Sequence, residues 1–132
     1  MSKSKTFLYI DGTNLLAGLV EMFGVDKVPS FSIILKKIKN VYKFSQIFFY
    51  ASYTSPKGIK KLNSAKQDEI KRQIGLEIEF FKEVQATKNL TFYQGYRSPA
   101  SKKEKGVDVH LAVDFVKGAF LNEYSTAIIL TG

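Results

Sequence analysis

A chain of 132 residues with 45% hydrophobic and 14% aromatic side chains can fill one compact core, which excludes a disordered tail. Cysteine is absent, so disulfides and thiolate metal sites are excluded, and any metal would be a hard cation held by carboxylates or the single histidine. Twenty Lys and Arg against 12 Asp and Glu give a net charge of +8, which favours a polyanionic partner such as nucleic acid, although lysine also serves solubility.

Residues 6–10 read as a buried strand, and residues 14–23 as a helix stopped by Gly24. Between them FLYI delivers Asp11, Gly12, Thr13 and Asn14. Ser30 can cap a second helix whose apolar positions are Ile33, Ile34, Ile38 and Val41, and residues 46–52 form a second buried strand around IFFYA. Pro56 opens a helix-permissive, lysine-rich stretch to about Gly75 that must be largely exposed. Residues 76–81 alternate apolar and acidic side chains and fit either a strand or the end of that helix. Residues 90–97, LTFYQGYR, have strand composition and lead into a polar, basic loop, RSPASKKEKG. Residues 107–121 are the clearest helix, and residues 126–131 close the chain as another buried strand. Such alternation predicts one α/β domain over residues 1–132, with a mainly parallel sheet flanked by helices. An α/β unit would continue past Gly132 into a further helix or strand, so the last elements are expected to be missing. No apolar run approaches the roughly 20 residues that span a bilayer, and MSKSK leads into no signal-peptide core, which predicts a soluble, cytoplasmic protein.

In an open parallel sheet the functional crevice lies beyond the carboxyl ends of the strands, where Asp11 falls. A buried carboxylate needs a partner. Asp11 could simply cap the following helix, but a second acid converges on the same edge. Asp108 opens the helix of KGVDVHLAVDF, whose apolar stripe runs through Leu111, Ala112, Phe115 and Ala119. Helical geometry sets Asp108 and Asp114 about 60° to either side of Leu111 and about 9 Å apart along the axis. The plainer roles are a helix-dipole contact for Asp108 and a pair with Lys117 for Asp114. His110 points about 200° from the Asp108 stripe and reads as a surface or packing residue. Carboxylates gathered in a basic protein suggest Mg²⁺ or Mn²⁺ and metal-assisted hydrolysis of nucleic acid. Thr13, Tyr53, Thr54, Tyr96 and Arg97 would rim such a site, with Lys102, Lys103 and Lys105 following phosphates; packing for the tyrosines and a solvated loop for the lysines are the alternatives.

YIDGTN after the first strand, KGVDVHLAVD opening a late helix and AIILTG as the next strand resemble the NYN domain of the PIN-like nucleases, particularly its bacterial LabA-like branch. The three motifs occur in the family's order and reach from end to end of the chain. The resemblance implies a PIN-like, Rossmann-like three-layer fold and a ribonuclease using Mg²⁺ or Mn²⁺. It assigns Asp11 to the metal-binding aspartate of the first strand, Asn14 to its polar partner, Asp108 to the aspartate of the KGxD motif, and Asp114 to the second aspartate of that helix. One departure counts against activity. In the family the last strand runs into a Ser/Thr-Gly-Asp-x-Asp type motif, whereas here Thr131 and Gly132 are present without the acids. One wall of the metal site is therefore expected to be missing, leaving weak or no nuclease activity.

Two other enzyme readings fail. A haloacid-dehalogenase-like phosphatase needs an aspartate nucleophile where Tyr9 stands, and DGTNLLAG is not a glycine-rich phosphate loop. A non-catalytic RNA- or protein-binding module on the same fold remains the alternative, and the sequence leaves monomer and homodimer open.

Overall fold

Short apolar segments, each separated from the next by a helix, have the crossover connections that parallel pairing needs. The computed structural model describes residues 5–97, 104–105 and 107–131, and for Tyr96, Arg97, Glu104, Lys105 and Asp108 the backbone alone. Strands β1 (Thr6–Asp11), β2 (Gln46–Ala51), β3 (Leu90–Gln94) and β6 (Thr126–Leu130) form an all-parallel sheet in the order β3-β2-β1-β6. Helices α1 (Gly12–Phe23) and α2 (Phe31–Val41) join β1 to β2, and α3 (Ser64–Gln85) joins β2 to β3. A two-stranded ladder of β4 (Tyr96–Arg97) and β5 (Glu104–Lys105) precedes α4 (Val107–Phe120), which leads to β6.

Strand alternation sorts the side chains into two cores. Leu8 and Ile10 of β1 and Ile47, Phe49 and Ala51 of β2 meet Leu16 of α1, Phe31 and Leu35 of α2, and Phe80, Phe81 and Val84 of α3. On the opposite face Phe7, Tyr9 and Tyr50 pack beneath Val107, Leu111 and Phe115 of α4. Three helices therefore cover one side of the sheet and α4 the other, which is the expected three-layer α/β arrangement.

Connectivity orients α4. A helix that leaves the carboxyl end of β3 and returns the chain to a parallel β6 must run against the strands. Its far end bears this out, because Tyr124 packs on Phe7 at 5.7 Å between ring centroids and the Ser125 amide donates to the Lys5 carbonyl at 2.8 Å. The first turn of α4, with Asp108, thus starts on the same side of the molecule as the end of β1.

Local departures from the sequence reading have physical causes. In α2 the buried side chains are Phe31 and Leu35, whereas Ile33 and Val41 are exposed. The Ser30 cap, which accepts the Ile33 amide at 3.4 Å, makes Phe31 the first helical residue and sets the inward face to 31, 34, 35 and 38. Residues 76–81 are helix: α3 starts at the Asn63 cap and runs through Gly75 to Gln85, burying Glu77 and leaving Ile78 exposed. Ahead of it the lysine-rich stretch makes a short 3₁₀ turn, Ile59–Lys61, in place of a helix begun at Pro56. The expected strand 90–97 breaks at Gly95, and part of the basic loop pairs, Tyr96 with Lys105 and Arg97 with Glu104. Lys102 and Lys103 lie outside the described residues. Among the described residues no helix is long and apolar enough to cross a membrane.

Candidate active site

β1 hands over to α1 with no linking residue, and Asp11 is both the last residue of the strand and the N-cap of the helix. Its Oδ1 accepts the Asn14 amide at 3.2 Å and its Oδ2 accepts Asn14 Nδ2 at 2.7 Å. Asp11 is only 1% exposed, so these bonds and the positive end of the helix dipole hold a carboxylate that water barely reaches. The capping role and the pairing with Asn14 are therefore both realised.

Register sets Asp11 in a row with two phenols. Asp11 pairs with Tyr50 across β1 and β2, and Tyr50 with Tyr93 across β2 and β3. Tyr50 and Tyr93 stack at 5.0 Å between centroids under α4. From α4, Asp114 accepts the Tyr50 hydroxyl at 2.9 Å, and its Oδ2 lies 3.4 Å from Nε2 of His110, one turn earlier. The His110 ring meets Tyr93 at 4.4 Å between centroids. His110 is thus a packing and pairing residue, and Asp114 turns to Tyr50 and His110 where the sequence suggested Lys117.

Burial pushes the Tyr50 phenol far above its usual range, and the hydrogen bond to Asp114 adds to the shift. Burial likewise pushes Tyr9 up to about 12, with Tyr124 and the carboxylates of Glu123 and Asp114 contributing. Unfolded phenols ionise near pH ~10 while these folded ones keep their protons, so the stability they contribute is complete below about pH 10 and falls as pH rises further. The melting temperature is expected to be level between about pH 7 and 9 and to drop beyond about 10, with a shallower drop in Tyr50→Phe. Thermal melts monitored by circular dichroism measure both slopes.

Thr13 joins this turn to the neighbouring strand, because its Oγ1 accepts the Ser52 amide at 3.1 Å. Tyr53 packs in the helix layer, its ring 5.3 Å from that of Phe81 and its hydroxyl accepting from Gln85 Nε2 at 3.1 Å. Thr54 donates through its amide and its Oγ1, each at 2.7 Å, to Glu77. Glu77 is a buried carboxylate that the sequence reading misses, and its signal is helical: Glu77, Phe80, Phe81 and Val84 share one face of α3. For Tyr96, Arg97, Lys105 and Asp108 the backbone alone locates the residue.

At Asp11 the side-chain groups that would face a cation are oxygens, from its carboxylate and the Asn14 side-chain amide, which suits a hard divalent cation. Among the described residues no group of three His, Asp or Glu side chains is gathered to hold a metal.

A parallel sheet with a buried aspartate at the carboxyl end of its first strand, and an acid-bearing helix starting on that side, is consistent with a PIN-like α/β fold. The model of the NYN domain matches residues 5–132, and the chain belongs to that family. NYN domains are nuclease-like, and PIN-like nucleases generally depend on a divalent metal. No curated protein and no solved structure gives a match to the chain.

Proposed function

We propose that the chain is a metal-dependent ribonuclease domain that hydrolyses RNA phosphodiesters at the Asp11 edge of the sheet. The observation that carries this reading is Asp11 itself, a carboxylate 1% exposed and oriented through both oxygens by Asn14, on the side of the fold where α4 begins. Asp11, Asp108 and Asp114 are the residues that would hold Mg²⁺ or Mn²⁺. When bound, such an ion neutralises charge on a phosphodiester and activates water. Asn14 fixes the Asp11 carboxylate, and the Tyr50 hydroxyl fixes that of Asp114. Tyr96, Arg97, Lys102, Lys103 and Lys105, with Thr13, would contact RNA, the cations at phosphates and the ring at a base.

The second reading, a non-catalytic RNA-binding module, draws on the same bonds: Asn14 already satisfies Asp11, and Tyr50 and His110 already engage Asp114. Incubation of the chain with end-labelled single-stranded RNA separates the two. Weak cleavage that requires Mn²⁺ and stops with a chelator is the expected result. RNA binding without cleavage under any divalent ion would overturn it in favour of the module.

A further inference from the structure

From Ser52 through Gln67 the chain has no acidic residue, while Lys57, Lys60, Lys61 and Lys66 are all exposed. This stretch begins at the carboxyl end of β2, next to the turn that holds Asp11. The three residues that open it are each tied to a different support. The Ser52 amide bonds Thr13, two residues beyond Asp11; the Tyr53 ring lies on Phe81; and Thr54 is gripped twice by Glu77. Glu77, itself only 4% exposed, also accepts from Gln73 Nε2 at 3.2 Å.

Residues 56–62 then make a preformed turn. The Ile59 amide donates to the Pro56 carbonyl at 3.3 Å, and the Lys61 amide to the Gly58 carbonyl at 3.1 Å. Gly58 takes φ of 79°, a value that favours glycine. Asn63 caps α3 by accepting the Lys66 amide at 2.9 Å, and Gln67 Nε2 closes on the Leu62 carbonyl at 2.7 Å. Lysines that served solubility alone could sit on any loose loop. Here a buried carboxylate, costly to keep from water, directs its hydrogen bonds at fixing the entrance to the lysine turn and at bracing that grip.

We propose, resting on the RNA reading above, that segment 57–66 is a backbone platform for single-stranded RNA leading to the Asp11 edge, with Glu77 acting through Thr54 as a positioning residue. Lysine ammonium groups meet phosphates as point charges, so the platform carries affinity and no base sequence preference. The anchors hold the backbone of the turn still, which lowers the ordering cost when a strand settles on it.

Binding of labelled oligouridine, followed by fluorescence anisotropy in chelator so that no cleavage occurs, tests the platform. The triple variant Lys57→Gln, Lys60→Gln, Lys61→Gln should lower the slope of log affinity against log salt by about 2, since each phosphate contact on a single strand contributes roughly 0.7. An unchanged slope and affinity would remove the platform, and binding only of acidic peptides would reassign it to a protein partner. Thr54→Val should weaken RNA binding severalfold with the slope retained, and Thr54→Ser should restore it; a Thr54→Val variant that binds like the parent removes the positioning role. Because the assay needs no metal, a chain that binds through these lysines without cleaving refutes the hydrolase alone, and cleavage with unaltered binding in the triple variant refutes the platform alone.

Discussion

Asp11→Asn is expected to lower Mn²⁺-dependent RNA cleavage by roughly 10²-fold or more while leaving the thermal melt almost unmoved. The two effects separate because Asn is about as good an N-cap as Asp. The variant's amide oxygen can still accept the Asn14 backbone amide, and Asn14 can turn its own amide over to accept from the new NH₂. The negative charge is lost. Changes to groups that merely support metal ligands already cost about 10–100-fold, so loss of a coordinating carboxylate should reach at least the upper end. Asp11→Ala removes the cap as well and should lose about 1 kcal/mol of stability. Gel assays of cleavage beside calorimetry of the three proteins give the comparison. If Asp11→Asn cleaves RNA at the parent rate, Asp11 is a helix cap and nothing more.

The capping bond explains why this position is legible in the sequence. FLYI must be buried, and a strand that ends on Asp followed by Gly-Thr-Asn presents a carboxylate with a local acceptor's task and a nearby amide to satisfy it. The strands are readable for the same reason: β1 and β2 are covered on both faces, so their apolar runs are nearly continuous, whereas β6, expected to be buried, lies at the edge of the sheet with Ile129 42% exposed. Long-range partners are not readable. Helical spacing offers Lys117 to Asp114, but Tyr50 is 64 residues away in sequence and arrives from the sheet beneath. The same limit hides Glu77. In LEIEF an alternation of apolar and acidic residues resembles a strand, and only the docking of α3 on Phe31 and Phe49 shows that Phe80 and Phe81 face inward, bringing Glu77 with them. In α2 the Ser30 cap is legible, yet an apolar stripe counted from Ile33 leaves Phe31 out of the period and so misplaces the inward face.

Gly12→Ala is expected to destabilise the protein by about 1–3 kcal/mol, although alanine normally favours a helix over glycine by up to about 1 kcal/mol. Gly12 is not in the left-handed region, so its necessity is one of space. A Cβ there would overlap the edge of the Phe49 ring. Phe49 is fully buried and has nowhere to retreat, with Phe31 edge-on at 5.5 Å, Phe81 at 5.9 Å and Phe92 stacked at 5.8 Å between centroids. Relief must therefore come from the turn itself, which moves Asp11 and should lower cleavage along with stability. Gly18 provides the matched control, since a Cβ there meets nothing within 4 Å in the same helix, and Gly18→Ala should stabilise by up to about 1 kcal/mol. Trimming the ring closes the cycle: Phe49→Leu, destabilising alone, should cost less in the Gly12→Ala background because the clashing atoms are gone. Urea melts of the single and double variants measure the coupling. Strictly additive losses would show that the ring is not what demands glycine between the strand and its helix.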